Sequence, residues 1–218
     1  MEENISLLKE FERIASLDDK EMGSQLPSDR IPIGYFCPYV PEEMLYAAGA
    51  FPLRLMGTSA RMAKAQAHLP PHCCHLVKSS LESLLKGELD FLRGVIFSHT
   101  CDAMQGLSDI WAFQKRLPLQ FNLMMPSNLS SPFARTYLKA EMERLQTFLH
   151  THIGGIPTQN LKGSIRLMNQ IREKIRSLYQ ARRNWPDWIS GRHFASIIQA
   201  GSRMDRRHFL ERLGDLLE

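Results

Sequence analysis

The stretch of residues 31–57, IPIGYFCPYVPEEMLYAAGAFPLRLMG, constrains the fold of this chain more than any other. It begins with a β-rich apolar run, continues through a loop that carries Cys37, and enters a short helix at Pro41, a residue suited to a first helical turn. Gly49 is placed to end this helix, and the apolar run FPLRLMG follows at once. The order strand, helix, strand predicts the first βαβ unit of a parallel sheet.

The same alternation continues to residue 126. CHLVKSSLESLLK has helical spacing with Gly87 as a stop, LRGVIFSHTC contains a continuous apolar strand, and a further helix precedes the run LPLQFNLMMP. Residues 58–69 have a helical composition, which Pro70 and Pro71 end. We therefore expect an α/β fold in residues 1–126, with a small parallel, Rossmann-like sheet of about four strands flanked by helices.

An all-helical segment is expected in residues 127–218. Ser131 and Pro132 suit the N-cap and first turn of its first helix, and Ser190 and Asp205 are candidate caps of two later ones. Apolar side chains recur there at helical spacing in two stripes. The stripes consist of Ala134, Leu138, Met142, Leu145 and Leu149, and of Leu161, Ile165, Met168, Ile171, Ile175 and Leu178.

The distribution of charge along the chain limits which kinds of partner are expected. The net charge is +4, and residues 159–218 carry twelve Lys and Arg against six Asp and Glu. Such a basic half suits a phosphate-bearing ligand or an acidic partner, or is simply solvated helix surface. Aromatic residues do not interleave the basic ones, so nucleic acid is not an expected partner. The chain has no apolar run of roughly 18 residues and an acidic, amphipathic start, so we expect a cytoplasmic protein without a membrane partner.

Three of the four cysteines are placed where a parallel sheet binds ligands. Cys37, Cys74 and Cys101 each fall at the carboxyl end of a predicted strand or at the start of a predicted helix. Ligands of open parallel sheets lie outside the carboxyl ends of strands, and helix N-termini favour anions such as a thiolate-ligated iron–sulfur cluster. Each cysteine can instead be a small core residue. The adjacent Cys73 leaves open which of the pair would bind metal.

Other side chains near these cysteines have both a chemical and a structural interpretation. Glu42 and Glu43 are candidate acid/base carboxylates; alternatively, their negative charges interact favourably with the positive end of the dipole of the helix that they begin. Ser79 and Ser80 are candidates for hydrogen bonds to a cofactor or substrate, or are hydroxyls on a helix surface. Three histidines flank the cysteines, so a mixed His/Cys zinc site is a further alternative. They are His72, His75 and His99.

The segments quoted above also resemble a known family. GYFCPYVPEEMLYAAGAFPLRLMG, CHLVKSS and SHTCDAMQ, in this order, are similar to the D-component family of 2-hydroxyacyl-CoA dehydratases and benzoyl-CoA reductases. The P-E-E-x-x-x-A-A-G segment, the K-S-S after a cysteine and the C-D after the third strand carry the resemblance. It extends through ISGRHFASIIQAG and so covers nearly the whole chain.

The resemblance implies an oxygen-sensitive iron–sulfur subunit of anaerobic metabolism with a [4Fe–4S] cluster. In such systems a separate ATP-dependent activator protein supplies one low-potential electron; the dehydratases form a ketyl radical and lose water, whereas the reductases reduce an aromatic thioester. By motif, the family's cluster cysteines fall on Cys74 and Cys101, and Cys37 matches the family's first cysteine. The implied partners are an acyl-CoA thioester, a second subunit of the same family and the activator.

The chain departs from the family pattern in one respect. Family subunits continue into a second α/β domain that supplies another cysteine ligand; that domain is absent here, and no cysteine follows Cys101. We interpret the chain as an iron–sulfur subunit, or an N-terminal half-subunit, of a dehydratase (a lyase) or acyl-CoA reductase. It would then be a fragment or half of a split gene. The alternative is a degenerate relative: a non-catalytic interaction or assembly module that kept the fold and lost the cluster.

Overall fold

The computed structural model describes residues 2–57 and 62–218 of the chain. The helices are α1 (Glu2–Ser16), α2 (Asp19–Ser24), α3 (Glu42–Ala47), α4 (His75–Lys86), α5 (Asp102–Gln114), α6 (Ala134–His152), α7 (Thr158–Asn184), α8 (Gly191–Gly201) and α9 (Arg206–Leu217). The strands are β1 (Ile31–Tyr35), β2 (Ala50–Arg54), β3 (Gly94–His99) and β4 (Leu119–Met124). Two compact units result, Asp19–Pro157 and Met1–Asp18 with Thr158–Glu218.

All four strands of the unit Asp19–Pro157 are parallel, in the order β2-β1-β3-β4. This confirms the predicted α/β class with a four-stranded parallel sheet flanked by helices, followed by a helical C-terminal part. The chain first moves from β1 to β2 on one side, and later returns to place β3 on the other side of β1. Such a reversal of strand order opens a crevice outside the carboxyl ends of the two central strands, here β1 and β3.

Helices cover both faces of this sheet. On one face, Leu45 of α3 and Leu149 of α6 pack in one apolar cluster with Ile96 of β3. On the other face, Phe97 of β3 packs edge-on against Trp111 of α5, with ring centroids 5.6 Å apart. Side chains of successive strand residues point to opposite faces of the sheet, so Ile96 packs against the helices on one face and Phe97 against those on the other. The helices that follow β1 and β3 therefore lie on opposite faces, as the crevice between them requires.

The edge strand β4 is partly covered by polar side chains of α6. The Glu141 carboxylate accepts a hydrogen bond from the Met124 backbone N–H (2.9 Å), and Arg144 donates to the Asn122 carbonyl. Burial raises the pKa of Glu141, but the hydrogen bonds from Arg144 and Met124 outweigh it and hold that pKa below its usual value. The ionised pair thus occupies backbone groups that another strand could otherwise bind.

The second unit, Met1–Asp18 with Thr158–Glu218, is built from helices. α1 packs on α8 and α9, and α7 packs on α9. Phe11 of α1 meets Phe209 of α9 edge-on in the core, with ring centroids 6.1 Å apart. The Ser190 hydroxyl accepts a hydrogen bond from the His193 N–H at the start of α8, and Asp205 caps α9 in the same way. Both caps predicted from the sequence are therefore confirmed.

Details of the helices differ from the sequence-based expectation. α6 begins at Ala134, because the Ser131 hydroxyl accepts a hydrogen bond from the Phe133 N–H (3.3 Å) in the preceding turn and does not cap the helix. In α7, Ile165 is 41% exposed, whereas Leu167 is buried in its place. Of the predicted helical stretch 58–69, residues 58–61 lie outside the described residues, and the described remainder contains a three-residue 3-10 turn.

The grouping of helices also bears on the domain boundary that we placed at residue 126. In the structure α6 groups with the sheet, and α1 groups with α7, α8 and α9. The helical composition of the C-terminal part is as expected, while the boundary itself stays a prediction.

Candidate functional site

Cys37 lies two residues beyond β1, at the mouth of the crevice. Its backbone is left-handed, with φ of +64°, a conformation that non-glycine residues rarely adopt. The preceding Phe36 N–H donates to the Ile96 carbonyl (3.1 Å), and the Cys37 sulfur lies 3.5 Å from the Thr100 hydroxyl. The loop after β1 is thereby held against the loop after β3. A strained cysteine that persists at such a position is an observation that points to function.

Cys74 and Cys101 occupy equivalent positions at two helix starts. Each is the N-cap residue of its helix, α4 and α5 respectively, and each is exposed. Within the described chain neither thiol caps its helix through a hydrogen bond, so both sulfurs are available. α4 follows β2 and leads back to the start of β3, so its N-terminus lies at the same carboxyl edge of the sheet as Cys37 and Cys101.

The thiols have the donor chemistry that an iron–sulfur cluster needs, since such clusters are held by cysteine thiolates. However, no three His, Cys, Asp or Glu side chains among the described residues converge closely enough to hold a metal ion. The cysteines of this chain are therefore the right kind of ligand at one edge, but they do not form a closed metal site. The same finding gives no support to the alternative of a zinc site at His72, His75 and His99.

Glu42 and Glu43 begin α3 at this edge. Both side chains are half-buried, and the Glu42 carboxylate accepts a hydrogen bond from the hydroxyl of Tyr35, which is buried at the end of β1. That contact orients Glu42 from within the sheet. The acid/base role of the two carboxylates stays a prediction.

Ser79 and Ser80 lie inside the protein rather than on the open edge. The Ser79 hydroxyl donates to the His75 carbonyl of its own helix (2.8 Å). The Ser80 hydroxyl is also buried and has no hydrogen-bond partner among the described residues. Their assignment to cofactor binding stays a prediction, and Ser80 is the one with an unused hydroxyl.

A buried carboxylate that the sequence did not single out holds the loop before Cys74. Glu82 on α4 is only 2% exposed, and it accepts hydrogen bonds from the backbone N–H groups of Ala63 (3.0 Å) and Ala65 (2.8 Å). Burial raises the pKa of Glu82, but these two N–H groups and the Lys86 ammonium, 3.4 Å away, outweigh it and hold that pKa below its usual value. No clear signal for Glu82 exists in the sequence alone, because adjacent helix residues such as Leu81 and Glu82 do not share a face.

Gly57 ties the other end of this loop to α4. Its φ is +74°, and a Cβ added there would lie 2.2 Å from the Ser79 hydroxyl oxygen. Only glycine meets both conditions without a shift of the backbone or of Ser79. Residues 31–57 therefore end against the helix that begins after Cys74.

Comparison with known proteins places this arrangement in a family. A model of the 2-hydroxyglutaryl-CoA dehydratase D-component matches residues 37–218. The chain belongs to the D-component family. The match begins at Cys37 and includes all the candidate site residues, which confirms the resemblance noted in the sequence.

Relatives of this D-component chain are subunits of acyl-CoA enzymes. It is 28% identical over 181 residues to a benzoyl-CoA reductase subunit of Thauera aromatica, which covers 80% of this chain and 46% of that protein. It is 27% identical over 198 residues to the beta subunit of lactoyl-CoA dehydratase of Anaerotignum propionicum, covering 89% and 52%. With the beta subunit of (R)-2-hydroxyglutaryl-CoA dehydratase of Acidaminococcus fermentans the identity is 24% over 215 residues, covering 97% and 56%.

The D-component chain spans about half the length of these relatives. In the part of the chain that the structure describes, no helix is long and apolar enough to cross a membrane.

Proposed function

We propose that this chain is an iron–sulfur subunit, or the N-terminal half of one, in a 2-hydroxyacyl-CoA dehydratase or benzoyl-CoA reductase-like enzyme of the cytoplasm. The observation that carries the proposal is that three cysteine-bearing segments lie at one edge of the sheet. Cys37 and Cys101 follow the two strands that flank the crevice, and Cys74 begins the helix that returns from the same edge. Crevices of this kind are where open parallel sheets bind ligands.

Cys74 and Cys101 are the proposed cluster ligands, and Cys37 is the third candidate. Their exposed positions at helix N-termini suit an anionic [4Fe–4S] cluster, because the first-turn N–H groups and the helix dipole favour negative charge. Bound there, such a cluster would provide one low-potential electron to an acyl-CoA thioester. Since the described donors form no closed set, we propose that a further ligand comes from another polypeptide segment.

The residues around the crevice have supporting roles in this proposal. Glu42, oriented by Tyr35, and the neighbouring Glu43 would move a proton at the substrate. Ser79 and Ser80 would support the cofactor from beneath the first turns of α4. The proposed partners are an acyl-CoA thioester, a second subunit of the same family and an ATP-dependent activator protein; the names of the relatives support the first two.

Anaerobic reconstitution with iron and sulfide tests the proposal. The wild-type chain is expected to bind iron and sulfide and to give an electron paramagnetic resonance signal after reduction. Cys74→Ser and Cys101→Ser should each remove most of the bound iron, whereas the adjacent Cys73→Ser should remove little and serves as the matched control. A protein that stays without iron after anaerobic reconstitution, both alone and with its co-purified partner, would contradict the proposal, and a damaging Cys73→Ser with a harmless Cys74→Ser would contradict the ligand assignment.

Cys37→Gly separates the role of the third thiol from its effect on the backbone. Glycine adopts φ of +64° without the cost of about 1 kcal/mol that an L-residue has there, so the fold should be kept or slightly stabilised. Loss of iron together with an unchanged or raised melting temperature would identify Cys37 as a ligand. Iron retained at the wild-type level would limit the ligand set of this chain to Cys74 and Cys101.

A second candidate is an assembly module that has kept the fold without the cluster. The observation that favours it is that no closed metal-binding group is found among the described residues. Affinity purification from the native host under anaerobic conditions distinguishes the two. A stable partner whose addition restores iron binding supports the subunit; a metal-free complex that stays metal-free after reconstitution supports the module.

A further inference from the structure

The loop that leaves β4 forms a cavity beside the cysteine-bearing edge. His99 of β3 pairs with Met124 of β4, so Met125 leaves the sheet level with Thr100, one residue before Cys101. Neighbouring strands lie about 4.8 Å apart. The cavity has a volume of about 330 Å³, at the lower end of the roughly 300–1,000 Å³ that small-molecule pockets occupy.

Two aromatic rings dominate the outer wall of this cavity. Phe133 and Tyr137 lie one helical turn apart at the start of α6, and they are 75% and 43% exposed. Met125 and Pro126 line the cavity as well. Apolar side chains grouped around a concavity indicate a ligand more strongly than the same residues scattered on a surface.

The wall is held in place before any ligand binds. Asn128 accepts a hydrogen bond from the Ser130 N–H (3.0 Å) through its side-chain oxygen, and the Ser131 hydroxyl accepts one from the Phe133 N–H (3.3 Å). These two hydrogen bonds fix the turn that precedes α6 and therefore the position of Phe133. A preformed wall lowers the ordering cost of binding.

The charge of the lining narrows the class of ligand. The described lining residues are Met, Pro, Ser, Asn, Phe, Ala and Tyr, and none of them carries a charge. The lining offers no Arg or Lys side chain to the phosphates of a CoA ester, so an anion would be attracted only by the dipole of α6, which begins at Ala134. Burial of an uncharged apolar group against the rings of Phe133 and Tyr137 is favourable. A planar aromatic group can also pack on these rings in an offset or edge-on arrangement.

We propose that this cavity is the subsite for the apolar acyl group of the thioester, and this inference rests on the proposed function. The acyl group packs between Phe133, Tyr137 and Met125, and its carbonyl end points along the sheet edge toward Cys101. Apolar and aromatic acyl groups are accepted because they bury apolar surface against these side chains.

The test uses the 218-residue chain and a probe that lacks the nucleotide, benzoyl-N-acetylcysteamine thioester. Titration followed by NMR is expected to shift the resonances of residues 125–137. Phe133→Ala and Tyr137→Ala should each weaken binding about fivefold, as expected for the loss of one aromatic contact. Both side chains are substantially exposed, so these variants are expected to fold. Phe113→Ala, which removes an 83% exposed ring at the end of α5, is the control and should leave the affinity unchanged.

Four outcomes would contradict the assignment of this cavity as the acyl subsite. No binding by the wild type, equal binding of N-acetylcysteamine alone, shifts centred elsewhere, or the same loss in Phe113→Ala would each refute it. The iron content of the same variants reports on the proposed function independently: a subsite failure leaves iron binding intact, whereas a failure of the proposed function appears as absent iron whatever the thioester does.

Discussion

Replacing Glu82 with alanine is expected to lower the free energy of unfolding by about 3 kcal/mol. The carboxylate lies almost fully inside the protein and accepts two backbone hydrogen bonds from the loop before Cys74. The N–H of buried Ala65 would lose its partner without access to water, a cost of about 2 kcal/mol. The N–H of exposed Ala63 can turn to water, and the pair with Lys86 is partly exposed, so these two contribute roughly 1 kcal/mol together.

The effect should also depend on pH in a definite direction. The pKa of Glu82 is held below its usual value of 4.5 in the folded protein, so the carboxylate stabilises the fold above that value. This contribution is lost as the pH falls through the lowered pKa. The difference in stability between wild type and Glu82→Gln should therefore be largest near about pH 7 and shrink on acidification below about pH 4.

Urea denaturation of the wild type and the two variants measures both effects. Glu143→Ala is the matched control, because its ion pair with Lys139 is 3.7 Å long and exposed, and its loss should cost less than about 0.5 kcal/mol. Hydrogen exchange should show the Ala65 amide losing protection in Glu82→Ala. A loss of stability no greater than that of Glu143→Ala, or a difference that does not change with pH, would refute the reasoning.

Two further substitutions test the neighbouring geometry. Gly57→Ala should destabilise the protein by about 1–3 kcal/mol, because φ is +74° and the new Cβ would lie 2.2 Å from the Ser79 oxygen. Gly106→Ala within α5, where no described atom lies within 4 Å of the added Cβ, should be neutral or stabilising. Thermal melts that rank the two variants the other way would contradict the packing described for Gly57. Arg144→Ala should uncover the edge of β4 and promote self-association in sedimentation experiments. Arg116→Ala, which removes an ion pair with Asp90 (2.6 Å) and no contact to the backbone of β4, should not increase self-association. Equal behaviour of the two arginine variants would argue against edge protection.

The sequence predicted those parts of the fold that depend on local signals. The continuous apolar run Val95–Phe97 predicts β3, and Gly87 ends α4 in the left-handed conformation typical of a helix C-terminus. Ser190 and Asp205 act as caps because the residues that follow them begin amphipathic helices. Ser131 failed as a cap because its hydroxyl serves the turn before the helix, a competition that composition alone does not decide.

The order of the strands in the sheet could not be predicted from the sequence, for a different reason. β3 pairs with β1 rather than with β2, which precedes it in the chain, and this choice depends on how α3, α4 and α5 divide between the two faces. The crevice at β1 and β3 exists only because of that division. The sequence could therefore suggest that cysteines lie at strand ends, but not that Cys37 and Cys101 follow two adjacent strands.

Glu82 was missed because a charged side chain on a helix is ordinarily interpreted as solvent-facing. Its role appears only when the loop that it binds is seen, since the partners are backbone N–H groups with no sequence signature. The left-handed backbone of Cys37 was hidden for a similar reason. Glycine or asparagine would have signalled that conformation, and cysteine does not.

The three cysteines of the proposed site differ in how firmly the fold fixes them. Cys101 lies two residues after the central strand β3 and is the N-cap of a 13-residue helix, so its backbone is fixed from both sides. Cys74 begins a helix too, but the loop before it is held chiefly by contacts from α4 itself: Glu82 binds Ala63 and Ala65, and Lys78 donates to the Pro71 carbonyl. The loop that leads to Cys74 thus depends on a buried carboxylate two helical turns along α4. The ionised state of Glu82 is therefore a condition for holding the loop that precedes the proposed ligand Cys74.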